Sequence, residues 1–234
     1  MSMVTRSIPV VVLALCVGVA QLSAQRQGNE NFQWYIGGQG GVMNFETPAQ
    51  TRGTIPLGGA HLLVKARRTG LLVSVDQGFG SKELAGYDFT ITDKPDTTVL
   101  SAGTQSFTFN YIRRYSAMLM AFPVKGHVTP FFGIGGGIQH TGGHNPDDQI
   151  AKDLGSSGFG SVLIGLQFRI SRFIGFGQYQ VTTAPSVKTV VYDQGVTGQH
   201  LHVTGSNFRG AIHSLSAGLR FSLGGSREGV SGGS

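Results

Sequence analysis

The chain is poor in cysteine and in charge: Cys16 is its single thiol, and only 13% of its 234 residues are Asp, Glu, Lys or Arg. One cysteine builds no disulfide framework, so stability has to come from burial and hydrogen bonding. No segment holds apolar residues at i, i+3, i+4 and i+7 over several turns, which excludes amphipathic helices as the main building element. Beyond the first residues, no apolar run approaches the roughly 20 residues of a membrane-spanning helix. Lys and Arg outnumber Asp and Glu by 18 to 12, but they are scattered, and without a basic stripe nucleic acid is a poor candidate partner.

The one long apolar run is at the start. Arg6 precedes the stretch from Ile8 to Ala20, and Leu22-Ser23-Ala24 ends it, the pattern of a secretory signal cleaved after residue 24. Leu15 stands before Cys16, where lipoprotein processing would want a small side chain, so a lipid anchor is not expected. About 210 residues remain, which is one domain by the length prior, and loss of Arg6 lowers the formal charge of +6 to +5.

What the mature chain does have is glycine, all but Gly18 of the chain's 37, and alternation of apolar with polar or small residues. Strands are predicted at about 33–45, 56–67, 70–80, 105–122, 130–140, 158–170, 173–182 and 210–223. Their connections alternate between tight turns, such as Arg68-Thr69 and Ser171-Arg172, and long polar loops at 81–104, 141–157 and 183–209. An antiparallel barrel crossing an outer membrane needs that alternation, because one rim faces the periplasm and the other faces outside. The predicted fold is all-β: an eight-stranded antiparallel up-and-down transmembrane β-barrel over residues 25–223, followed by a flexible tail at 224–234, whose Gly and Ser content favours coil.

The facing pattern carries this reading. In the last strand Ala211, Leu215, Ala217, Leu219, Phe221 and Leu223 share a face with His213, while Ser214, Ser216, Gly218, Arg220 and Ser222 share the other. In the sixth, Val162, Ile164, Leu166, Phe168 and Ile170 oppose Ser161, Gly165, Gln167 and Arg169, with Leu163 as an exception. In the third, Leu71, Val73, Val75 and Phe79 oppose Ser74, Asp76 and Gly78. A soluble lipocalin-like barrel binding a lipophilic ligand would reverse these faces. Charge-free apolar faces and Gly- and Ser-rich opposite faces favour lipid outside. Aromatics near strand ends, namely Trp34, Tyr35, Phe122, Phe131, Phe173 and Phe221, suit interfacial girdles.

The stretch VTPFFGIGGGIQH at 128–140 and the terminal run SAGLRFSL at 216–223 resemble motifs of the small eight-stranded outer-membrane barrels of the OmpA and OmpX type. The resemblance implies location in the cell outer membrane. It also implies that Ser216, Gly218, Phe221 and Leu223 form the terminal signal read by the outer-membrane insertion machinery. Such strands usually end the chain at an aromatic residue, whereas here residues 224–234 follow, too short for a peptidoglycan-binding domain.

Candidate chemistry is thin. His213 is the obvious base for a lipid hydrolase, but Ser214 and Ser216 point to the other face. Ser206 with His200 and His202 has no carboxylate at matching spacing, and His140, His144, Asp147 and Asp148 lie in a loop with no rigid element to hold a metal. No catalytic, cofactor or metal site is expected. Lys65, Asp76, Arg169 and Arg220 are predicted to face inward and form a polar plug, since buried charges need partners; a narrow small-solute channel is the alternative. The loops at 81–104 and 183–209 read as hairpins rising beyond the lipid, where a sheet edge offers an extracellular partner a place to bind. Lipid is the other expected partner, and a monomer the expected state.

Overall fold

The computed structural model describes residues 32–49, 52–93, 98–124, 126–143, 149–183, 188–193, 198–205 and 208–223. The predicted signal at 1–24 and predicted tail at 224–234, and the candidates His144, Asp147, Asp148 and Ser206, lie outside them. The described chain forms β1 (Phe32–Glu46), β2 (Gly53–Ala66), β3 (Thr69–Asp93), β4 (Val99–Ala121), β5 (Val128–Gly142), a short helix α1 (Gln149–Leu154), β6 (Ser156–Ile170), β7 (Phe173–Thr182), β8 (Lys188–Asp193), β9 (Gln199–Gly205) and β10 (Arg209–Ser222).

Eight of these strands close on themselves. Each of β1 to β7 pairs antiparallel with its sequence neighbour, β10 pairs with β7, and β10 returns to β1 from Tyr35↔Ser222 to Asn44↔His213. Closure satisfies the backbone of every ring strand on both sides, which a strand exposed to lipid requires. Two-residue turns join β2 to β3 and β6 to β7, with left-handed φ of 51° at Arg67 and 57° at Ser171. Turns with positive φ at the first central residue match the twist of the strands they join.

The long connections are not loops throughout. β3 and β4 run past the predicted ends at 80 and 105. A break in register between Phe79 and Glu83 bends β3 where it leaves the ring, and pairing then continues from Glu83↔Phe109 to Thr92↔Val99. β9 joins the upper part of β3 from Asp88↔Thr204 to Asp93↔Gln199, and β8 joins β9. A four-stranded sheet, β8-β9-β3-β4, therefore projects from the loop rim. The segment is polar enough to read as loop by composition, but its alternation is that of a strand with one apolar face: Ala85, Tyr87 and Phe107 turn inward, and Leu84, Asp88 and Thr104 turn out.

The ring strands obey the predicted parity. Val162, Ile164, Leu166 and Phe168 of β6 and Leu215 and Leu219 of β10 are exposed on the outside, while Ser161, Gln167, Ser214, Ser216 and Arg220 are buried inside. The aromatic girdle is corrected in part. Tyr35, Phe122 and Phe131 turn into the barrel and are nearly inaccessible, whereas Phe173 and Phe221 meet on the outer face with ring centroids 5.3 Å apart.

Candidate functional site

The barrel interior is built in layers. At the loop end, Met43, Phe45, Ile55, Leu57, Phe109, Ile112 and Ile212 of the ring pack with Ala85, Tyr87, Phe107 and Val203 of the projecting sheet and with Phe208. Phe45, Phe109 and Phe208 form the aromatic centre, with centroid separations of 5.9, 5.6 and 6.0 Å. Helix α1 adds Ala151 and Leu154 to the same cluster. It is tied to β8 by hydrogen bonds from Tyr192 Oη to Asp153 Oδ2 (2.6 Å) and from Lys188 Nζ to the Asp153 carbonyl (2.6 Å). At the turn end, Tyr35, Leu63, Leu72, Met118, Met120, Phe122, Phe131, Leu163, Ile174 and Phe176 form a second apolar cluster.

Polar side chains fill the space between. Asp76, 1% exposed, accepts hydrogen bonds from Gln39 Nε2 and from Ser74 Oγ, the latter at 3.2 Å. Across the β3–β4 pair it faces Arg114, also 1% exposed. Arg114 Nη1 donates to Thr182 Oγ1 at 3.3 Å, reaching from β4 to β7. From there the network runs through Ser161 and Gln180, and a second branch links Gln178 Nε2 to Gln39 Oε1 at 3.1 Å. Interior glycines make room for these groups: a Cβ at Gly59 would overlap the Asp76 carboxylate.

The four residues predicted as one plug are all at least partly buried, but they fall into separate groups. Asp76 belongs to the central network. Arg220 lies toward the turn end, where Nε donates to His61 Nε2 at 3.0 Å and Nη1 to Gln167 Oε1 at 3.2 Å. Its guanidinium carbon stands 4.0 Å from the Phe176 ring centroid and 5.4 Å from that of Phe131, so the negative faces of the rings attract the cation. Arg169 is at the turn rim, donating through Nη2 to Tyr35 Oη at 2.7 Å and to Gln33 Oε1 at 3.4 Å. Lys65 Nζ sits 4.7 Å from the Phe122 ring centroid. Arg114, the charge that faces Asp76, was not among the residues singled out in the sequence. The signal available was its place one residue from Arg113, which puts the two guanidiniums on opposite faces of β4.

The terminal motif has packing roles. Ser216 is buried, a Cβ at Gly218 would collide with the Gly38 carbonyl, and the Leu223 amide donates to the Trp34 carbonyl at 2.8 Å. Of the candidate chemical groups, His213 lies outside the barrel with Nδ1 2.6 Å from Tyr179 Oη and the two rings stacked. His140 Nδ1 is 2.8 Å from Ser156 Oγ. His200 and His202 share the outer face of the projecting sheet, with their rings 6.3 Å apart and His202 Nε2 3.1 Å from Thr92 Oγ1. That face carries a row of Thr189, Thr204, Asp88 and Thr104 in register across all four strands. Among the described residues, no group of three His, Cys, Asp or Glu side chains is gathered to hold a metal.

No family model and no curated protein matches the chain. Among solved structures, the Neisserial surface protein A is similar over 80% of this chain and 96% of its own, with a TM-score of 0.51 at 11% identity. A Pseudomonas aeruginosa FadL homologue aligns over 83% of this chain and 50% of its own, with a TM-score of 0.31 at 10% identity. Identities this low speak to fold alone and leave the narrower resemblance to OmpA and OmpX without a family match. The fold is that of a closed, eight-stranded outer-membrane β-barrel.

Proposed function

We propose that the protein is an outer-membrane anchor of the small OmpA and OmpX kind, a barrel with no open path that holds a projecting sheet at the cell surface. The observation that carries this is the interior: a hydrogen-bonded polar layer closed off at each end by an apolar cluster. An eight-stranded barrel is barely wide enough for its own side chains, and water or solute would have to displace packed aromatics to pass. The exposed apolar outer face, from Leu71, Val73 and Val75 to Leu215 and Leu219, supports lipid contact over a soluble barrel with an apolar cavity. In this reading the chain is exported by its signal, assembled by the insertion machinery and monomeric, and it carries out no catalytic step.

Two measurements on the full chain test the anchor. Unboiled protein from the membrane fraction is expected to migrate faster on a detergent gel than boiled protein, as a closed, detergent-resistant barrel does. Reconstituted into planar bilayers, it is expected to give no steady ohmic steps; regular unitary steps would replace the anchor with a channel.

The projecting sheet is the proposed surface of contact with an extracellular partner. β8 ends the sheet order, and a terminal strand offers main-chain groups for strand addition. Simple deletion of β8 and β9 is a poor test, because Val203 is fully buried in the loop-end cluster. Replacing the outward Thr189, His200 and His202 by glutamate leaves that cluster intact. It is expected to reduce adhesion of whole cells to coated surfaces without abolishing the gel shift; adhesion equal to the parent would remove this face from the reading.

A further inference from the structure

On the outer wall of β3 to β6, the positions between the turn rim and the row Gln77–Arg113–His140–Ser156 carry no charge. They include Leu71, Val73 and Val75 on β3, Leu119 and Tyr115 on β4, Phe132, Ile134 and Ile138 on β5, and Phe168 to Val162 on β6. Arg113 is the first charge above this apolar surface, and it is held in place. Its Nε and Nη2 both donate to Gln77 Oε1, at 2.9 and 2.7 Å, and its guanidinium carbon stands 5.4 Å from the Tyr111 ring centroid. Gln77 and His140 flank it in register on the neighbouring strands.

We propose that Arg113, oriented by Gln77 and backed by Tyr111, is a seat for the phosphate of a membrane-lipid headgroup at the loop rim. A guanidinium has five N–H donors. Gln77 takes two, which leaves three at the border where an apolar wall gives way to polar side chains. The species with the right charge and acceptor geometry at that depth is a phosphate, which arginine grips through paired N–H groups. The wall below it, with Tyr115 and Ile138 nearly half or more exposed, receives the acyl chains of the same lipid. The site therefore selects a lipid phosphate over a free one. The proposal deepens the membrane reading and rests on it.

The test uses the full chain in neutral detergent with three probes: phosphatidic acid, diacylglycerol with the same acyl chains, and inorganic phosphate. Native mass spectrometry is expected to show phosphatidic acid retained in preference to diacylglycerol, with inorganic phosphate not competing. Arg113→Gln should weaken phosphatidic acid binding by roughly fivefold, about the worth of one basic side chain at an anionic surface. Gln77→Leu, which keeps the charge and frees its orientation, should weaken it less. Arg68→Gln at the opposite rim should change nothing. Equal retention by Arg113→Gln and the parent, or competition by inorganic phosphate, would overturn the proposal. Failure of the membrane reading itself would look different, since the parent would then show no heat-modifiable band at all.

Discussion

Replacing Asp76 by alanine is expected to destabilise the barrel by about 3 to 5 kcal/mol, the range for removing one partner of a buried charged pair. The carboxylate accepts from Gln39 and Ser74 and faces Arg114, which is almost wholly buried. Without Asp76 the guanidinium keeps its one bond to Thr182, and Nε and Nη2 already have no partner among the described residues. The cost is thus mainly that of an uncompensated cation in a medium of low dielectric. Removing the cation as well should recover much of the loss, so Asp76→Ala with Arg114→Met should unfold at higher urea in vesicles than Asp76→Ala alone. A double variant no more stable than the single one would mean that the two charges do not depend on each other.

Phe109→Ala is expected to cost a similar amount, about 3 to 5 kcal/mol, because truncating a fully buried aromatic removes its burial and leaves a cavity. Phe109 is 0% exposed and is the ring shared by Phe45 and Phe208. It sits where the ring of eight strands meets the projecting sheet, so the damage should be localised. Limited proteolysis should cut within residues 81–104 and 183–209 sooner than in the parent, while the gel shift of the barrel survives. A change below about 1 kcal/mol, or unchanged cleavage, would show that the aromatic cluster does not hold the sheet to the barrel mouth.

How much was legible depended on what each strand keeps inside. In β3, β6 and β10 the inward residues are largely Ser, Gly, Gln, Asp and Arg, so apolar and polar faces alternate and the parity could be read directly. In β1 and β2 the inward residues near the loop rim are Met43, Phe45, Ile55 and Leu57. Their apolar character masks the alternation, and composition gives no sign of an apolar layer inside the barrel. The same masking led Tyr35, Phe122 and Phe131 to be assigned to a lipid-facing girdle. The segment at 81–104 reads as a hairpin, and β3 does pair there with β4; what its sequence cannot show is the further partner, because β9 lies more than 100 residues along the chain.

Of the candidate site, the inward facing of Asp76, Arg169, Arg220 and Lys65 was readable, and their grouping was not. Side chains alternate across a strand with a period of two, a property of the local backbone, so the sequence alone determined the facing of β3, β6 and β10, the tight turn at Ser171-Arg172 and that no helix carries the fold, while the turn expected at Arg68-Thr69 falls one residue earlier, at Arg67-Arg68. Which inward residues meet depends on the register of eight strands and on the tilt that closes them into a ring, and these are set by all the pairings together. Only the tertiary structure could therefore place Arg114 opposite Asp76, set Arg220 against Phe176 and His61, bring β9 to β3, and seat Arg113 between Gln77 and Tyr111 at the edge of the apolar wall.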